Sequence, residues 1–296
     1  MLPFRHSFKA MAGAAEIQLY ATDASAARAA FKAVEREVER IEAKYSRYRD
    51  DSVTTAINRS AGNAALAIDP ETSALLDYAD ACWQQSDGLF DITSGVLRRA
   101  WDFRRGVLPS PGALRDALDC VGWDRVRRDG GRVALESRME IDFGGIGKEY
   151  AADRAAAALA EAGIAHALVN LGGDIRALGG HPGGKPWRIG ITHPRAQDRA
   201  IAHLALSEAG LATSGDYERF FVVEGKRYCH VLNPKTGWPV NGPQSVSVIA
   251  PLCIVAGSCA TIAMLKEDAA EAYLREQELP YLLIGRDGTI GGTDVL

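Results

Sequence analysis

Cysteine is scarce in this 296-residue chain, and the five that occur (Cys82, Cys120, Cys229, Cys253 and Cys259) are scattered, with no CxxC pair among them. That spacing excludes a zinc knuckle and a disulfide framework, and makes isolated thiols of a reducing compartment the default. No apolar run reaches the roughly 18 residues a membrane-spanning helix needs, so no membrane span is expected. The amino-terminal stretch holds no uninterrupted apolar segment of signal-peptide length, because His6, Lys9 and Glu16 break it. The expected location is therefore the cytoplasm. An excess of one charge is missing too: 34 Lys and Arg stand against 38 Asp and Glu, a formal charge of −4. A dedicated nucleic-acid binder carries a broad basic field, so no nucleic-acid partner is expected. Repeats, low-complexity tracts and linkers are also absent, which argues against tethered modules.

What remains is an ordinary globular composition, 47% hydrophobic and 24% charged. The chain is long enough to bury a core without staples. Asp23 opens a long helix whose Phe31, Val34, Val38, Ile41 and Tyr45 share one face, with Arg36, Glu39 and Arg40 opposite. Further helices are predicted over 53–58, from Pro70 to about Gln85 with Gly88 as the stop, and over 112–118, 148–162, 258–265 and 269–276. Gly163 takes the left-handed cap of the fourth of these. Strands are predicted over 15–21, 166–171, 187–192, 200–207, 220–223, 246–250 and 281–284, with two short ones flanking Asp129-Gly130-Gly131. Helices and strands alternate irregularly and several strands are joined by short turns. The fold class is α+β, with largely antiparallel or mixed sheets and packed helices, rather than a doubly wound parallel sheet.

Gly-rich segments carry the strongest chemical signals. Asp142-Phe143-Gly144-Gly145-Ile146-Gly147-Lys148 ends a strand and opens a helix. Glycines let a ligand approach the backbone, free N–H groups at a helix start attract phosphate, and Lys148 adds a cation. The spacing is neither a Walker A nor a Rossmann fingerprint, and a tight turn with a surface lysine explains it equally well. Asn170-Leu171-Gly172-Gly173-Asp174 reads first as a turn, and Thr213-Ser214-Gly215-Asp216-Tyr217 as a turn and helix cap. His230 precedes the sharp turn Asn233-Pro234-Lys235-Thr236-Gly237 and is placed to move a proton, although a lone histidine is more often structural. Tyr45 to Arg49 offers rings and guanidinium groups for stacking, with a plain surface as the bland reading.

Together and in order, these segments resemble the FAD:protein FMN transferases, the ApbE-type flavin transferases. The matching stretches are Met11-Ala12-Gly13, Ser46 to Arg49 with Asp51, Ser52 and Asn58, Ser86 to Thr93, Asp142 to Asp153, Asn170 to Ile175, Ala212 to Tyr217, His230 to Pro239 and Ser245 to Thr261. The resemblance covers about residues 11–285 and implies one domain over 1–296, since a single site would draw on nearly the whole chain. It implies binding of FAD and transfer of FMN to a Thr hydroxyl of a target flavoprotein, with AMP leaving and Mg²⁺ holding the pyrophosphate. No particular oligomer is implied.

Carried over residue by residue, the resemblance makes Met11, Tyr48, Leu89, Phe90, Asp91, Asp142, Lys148, Val231 and Leu232 FAD-binding positions. It makes Gly145, Ala260 and Thr261 the metal positions. His230 is the candidate for proton transfer. The pattern breaks at Ala256-Gly257-Ser258-Cys259-Ala260-Thr261, where Gly257 stands in place of an Asp ligand and weakens the expected Mg²⁺ site. A carboxylate from Asp174 or Asp216 is one remedy. Loss of catalysis, leaving a FAD carrier or sensor, and hydrolysis of FAD are the alternative readings. Cys259 beside the metal motif reads as a small buried residue before a soft ligand. Two milder departures are Met-Ala-Gly for Met-Gly-Thr at residue 11 and Asn233-Pro for Asp-Pro after the histidine.

Overall fold

The computed structural model describes residues 1–293. Its main sheet has eight strands: β1 (Leu2–Ala10), β2 (Gly13–Ala21), β3 (Ala167–Leu171), β4 (Asp174–Leu178), β5 (Gly210–Gly215), β6 (Ser245–Ala250), β7 (Tyr281–Ile284) and β8 (Ile290–Gly292). Spatial order equals chain order and every neighbouring pair is antiparallel. The α+β expectation holds, and the main sheet is antiparallel throughout.

Period-two alternation sorts these strands between two covered faces. Val169 and Leu171, Ala212, Val246 and Val248, and Tyr281 and Leu283 join one buried cluster. Leu168, Ile175 and Ala177, Leu211, and Leu282 and Ile284 join the other. The first face is covered by helices α1 (Ala24–Tyr45), α5 (Gly147–Glu161) and α6 (Cys253–Leu265), with α1 on α5 and α6 against β5 and β6. Between α1 and α5 the chain forms α2 (Val53–Arg59), α3 (Pro70–Gln85) and α4 (Pro111–Leu118), and α7 (Ala270–Glu276) follows α6. The second face is covered by the hairpin of Trp187–His193 and Ala196–Leu206, whose Trp187, Ile189, Ile191, Leu204 and Leu206 meet it.

The predicted helices form, most of them for local reasons. Asp23 accepts N–H bonds from Ser25 and Ala26 at the start of α1. Asp69 does the same for Glu71 and Thr72 ahead of Pro70. Gly163 follows α5 with φ +78°. One helix is longer than expected, because α6 begins at Cys253 and not at 258. Its own Leu252 cannot cap it; instead Asp153 of α5 accepts from the N–H groups of Cys253 (2.8 Å) and Ile254 (2.9 Å). A cap supplied across 100 residues leaves no trace in the local sequence.

Two segments read as turns are sheet strands. Residues 213–215 close β5 rather than a helix cap, and Asp174 opens β4. An edge strand was also missed, since β1 alternates Phe4, His6 and Phe8 with exposed residues and has a partner on only one side.

Candidate active site

The chain order of the sheet brings its turns to common ends. Residues 11–12 join β1 to β2, 172–173 join β3 to β4, and the segment between β5 and β6 leaves from the same end. Gly172 and Gly173 have φ of +60° and +99°, the left-handed geometry a two-residue hairpin turn requires. Met11 and Ala12 adopt the same geometry, with φ of +53° and +60°, without being glycine. The Met11 N–H is held by Glu42 Oε2 at 2.9 Å. The two turns touch, because Gly172 N–H donates to the Ala14 carbonyl at 3.0 Å.

Lys148 lies over this pair of turns. Its Nζ is 2.8 Å from Asp174 Oδ2 and 3.4 Å from the Gly172 carbonyl. Burial works to lower its pKa, but the Asp174 carboxylate outweighs that and the pKa rises. Burial raises the Asp174 pKa against the pull of Lys148. Lys148 belongs to the first turn of α5, which no side chain caps, so this end of the helix presents donors to an anion. Just upstream, Asp142 accepts from Gly144 N–H (2.9 Å) and pairs with Arg47, whose guanidinium lies 4.9 Å from the centre of the exposed Tyr48 ring.

His230 leaves the Phe220–Val223/Lys226–Cys229 hairpin, with its N–H on the Arg219 carbonyl at 2.9 Å. Its surface is open to solvent, while surrounding protein atoms crowd one side of the residue. Burial there, followed by the charges of Arg219 and Lys148, pushes its pKa down to about 4, so its imidazole is neutral at pH 7. Thus His230 and Lys148 share one field. The following turn is built by Asn233, whose Oδ1 accepts from Lys235 (2.9 Å) and Thr236 (3.3 Å). An amide oxygen performs that task as a carboxylate would. Val231 and Leu232 are half-buried on the arm that leads into the same bend, opposite Val240 and Pro239.

Two predicted residues have local tasks. Asp91 is buried, accepts from Thr93 N–H (2.7 Å), Thr93 hydroxyl (2.6 Å) and Trp123 N–H (3.0 Å), and so shapes the segment carrying Leu89 and Phe90. Phe90 in turn abuts Gly145, where an added Cβ would come within 3.2 Å of its ring. Cys259 is buried with the Tyr273 hydroxyl 3.8 Å from its Sγ, which leaves it a packing role.

The positions expected to hold a metal lie where α5 and α6 run antiparallel. Asp153 meets Cys253 and Ile254, Glu149 meets Gly257, and the segment 143–145 touches α6 beyond. Thr261 is one turn past Gly257, and its hydroxyl is 2.8 Å from Ser214 Oγ. Ala260 is fully buried mid-helix, where its carbonyl keeps one lone pair beyond the helix ladder. Neither proposed stand-in carboxylate is free: Asp174 pairs with Lys148, and Asp216 is gripped by both terminal nitrogens of Arg195 at 2.6 and 2.7 Å. Glu149, which sequence reasoning passed over, is the acid that faces Gly257. An acid in a helix first turn usually just complements the dipole, so the sequence held no separate signal for it.

With this geometry in place, the comparisons are specific. The profile of the ApbE family matches residues 11–283. The chain belongs to the ApbE family. Among its relatives, the FAD:protein FMN transferase of Treponema pallidum is 34% identical over 249 residues, 77% of this chain and 69% of that one. The crystal structure of the ApbE protein of Thermotoga maritima superposes with a TM-score of 0.90 at 31% identity, covering 99% of this chain and 97% of that one. The apo flavinyl transferase ApbE of Pseudomonas stutzeri gives 0.89 at 26% identity, over 99% and 95%. The ApbE match thus takes in both hairpin turns, Lys148, His230 and the α5–α6 contact.

Proposed function

We propose that this chain is a FAD:protein FMN transferase, a single catalytic domain that moves FMN from FAD to a Thr hydroxyl of a target flavoprotein and releases AMP. The observation that carries the reading is the match to ApbE over residues 11–283 in a chain that sets Lys148, paired with Asp174, on the first turn of α5 that no side chain caps. Relatives bearing this activity align over most of their length.

In this reading the FAD pyrophosphate lies against Lys148 and the free N–H groups of α5. Met11, Tyr48, Leu89, Phe90, Val231 and Leu232 offer surface to the flat rings, and Asp91 and Asp142 hold the segments that carry the pocket. The acceptor Thr oxygen forms a bond to the FMN phosphorus while the bond from that phosphorus to the AMP oxygen breaks. The Thr proton passes to the neutral His230 imidazole, and AMP departs with the electron pair. The anionic pyrophosphate opposes the cationic field that depresses His230 and so makes it a better base during the step.

The donors at the metal positions are hard oxygens: the carbonyls of Gly145 and Ala260 and the hydroxyl of Thr261. Beside them is a buried carboxylate oxygen, Glu149 Oε2, with no hydrogen-bond partner. That chemistry fits Mg²⁺. When bound, Mg²⁺ supplies charge neutralisation to the leaving phosphate. Five unpaired, buried cysteines fit a reducing compartment and a cytoplasmic location, and no helix among the described residues is long and apolar enough to cross a membrane.

Incubation of the purified protein with FAD, Mg²⁺ and a Thr-containing acceptor peptide, followed by intact mass measurement, tests the reading. Gain of one FMN on the acceptor with equimolar AMP is expected. AMP without a modified acceptor, or FAD recovered intact across several acceptors, overturns it.

A further inference from the structure

Gly257 has no room for a side chain. A Cβ built on it would stand 2.5 Å from Glu149 Cγ, 2.6 Å from Oε1 and 2.9 Å from Cδ. A Cβ carbon does not sit within about 3 Å of a non-bonded heavy atom, so the volume in front of Gly257 is already taken by the Glu149 carboxylate. Glu149 is 8% exposed, and its Oε2 is buried without a hydrogen-bond partner. Among the described residues one other carboxylate oxygen is in that condition, Glu140 Oε2, and it lies against Arg98. Asp174 is committed to Lys148, Asp153 to the N–H groups of Cys253 and Ile254, and Asp216 to Arg195.

A buried carboxylate oxygen with no partner is costly, and native structures rarely carry one without a reason. The rest of α6 is packed as a core helix, so nothing there needs an acid. Thr261 lies four residues beyond Gly257, on the same helix face. The antiparallel run of α5 and α6 keeps Gly145 at the same end.

From these relations we infer that Glu149 supplies the carboxylate ligand of the divalent cation, reaching from α5 into the place that a side chain at position 257 of α6 would fill. The inference rests on the proposed Mg²⁺ site beside Thr261, and it deepens that site by completing its oxygen set. The longer Glu side chain reaches across the helix–helix contact, and a glycine on the facing turn makes the space.

The test is binding of Mn²⁺, followed by the loss of the free-ion electron paramagnetic resonance signal, with FAD saturating and no acceptor present. Wild-type protein is compared with Glu149→Gln and with the double variant Glu149→Gly/Gly257→Asp, all checked by circular dichroism. Glu149→Gln keeps the shape and is expected to weaken Mn²⁺ binding by at least about 10-fold. The double variant places the acid on α6 and is expected to restore most of the affinity. Wild-type affinity in Glu149→Gln overturns the inference. So does a folded double variant that binds no better than Glu149→Gln, since then the two positions are not interchangeable. Wild-type protein that binds FAD but no Mn²⁺ overturns it as well. The acceptor-mass assay is scored separately, so failure here and failure of the transferase reading are told apart.

Discussion

Lys148 Nζ lies 2.8 Å from Asp174 Oδ2, tying the first turn of α5 to the first residue of β4. The pair joins a helix start and a hairpin turn that are separate in sequence, and fixes a cation beside the first turn of α5. Removing the lysine leaves a buried carboxylate without its partner. Lys148→Met is expected to lose about 1–3 kcal/mol of stability in urea unfolding, and to weaken FAD binding measured by flavin fluorescence. Adding Asp174→Asn should recover most of the stability but none of the FAD affinity, because the two losses have different origins.

The depressed pKa of His230 makes a signed prediction. Its folded value of about 4 lies below its ordinary 6.5. Between those values the unfolded chain binds more protons, so stability rises with pH across that window and is lost as pH falls through it. Above about 6.5 both states are neutral at this residue and its contribution is flat. His230→Gln should remove the corresponding part of the slope in thermal melts between pH 4 and 6.5. The same variant should lower the transfer rate by about 10²–10⁴-fold if the imidazole takes the Thr proton. A rate within a few-fold of wild type would give that proton to another group.

The Met11-Ala12 turn holds two side-chain-bearing residues at positive φ, whereas the neighbouring turn uses two glycines. Ala12→Gly should therefore raise stability by about 0.5–1 kcal/mol, the left-handed penalty less the added chain entropy. Met11→Asn should keep the turn, since Asn tolerates that region, while FAD affinity falls. Denaturation midpoints and FAD titrations check the two parts.

Gly257→Asp alone should damage the protein rather than improve its metal site. The new Cβ would meet Glu149 at 2.5 Å, and overpacking of this kind costs about 1–3 kcal/mol. Family resemblance by itself gives the opposite expectation, a stronger dependence on Mg²⁺. Urea unfolding of the single variant, with and without Glu149→Gly, decides between them.

Asp153→Ala should cost about 1–2 kcal/mol, the value of a helix cap, because it strips both acceptors from the N–H groups of Cys253 and Ile254. The effect should appear as faster amide exchange in the first turn of α6, a segment far from the mutation in sequence.

The helices were legible because their causes are local. Phe31, Val34, Val38 and Ile41 follow a helical period, Asp23 and Asp69 cap in place, and Gly163 ends α5. The order of the Gly-rich motifs marked the family, because each motif shapes its own turn. Strand β1 was not legible, since an edge strand buries little: even its inward-facing Phe4, His6 and Phe8 are only half-buried. Segment 213–215 looked like a cap because hydroxyl residues suit caps and strands alike, and only pairing with β6 makes it a strand. The sequence thus determines most of the elements and the family. Where Glu149, Asp153 and Asp174 direct their carboxylates is decided by the register of α5 against α6 and β4, a packing of distant segments that no local spacing encodes.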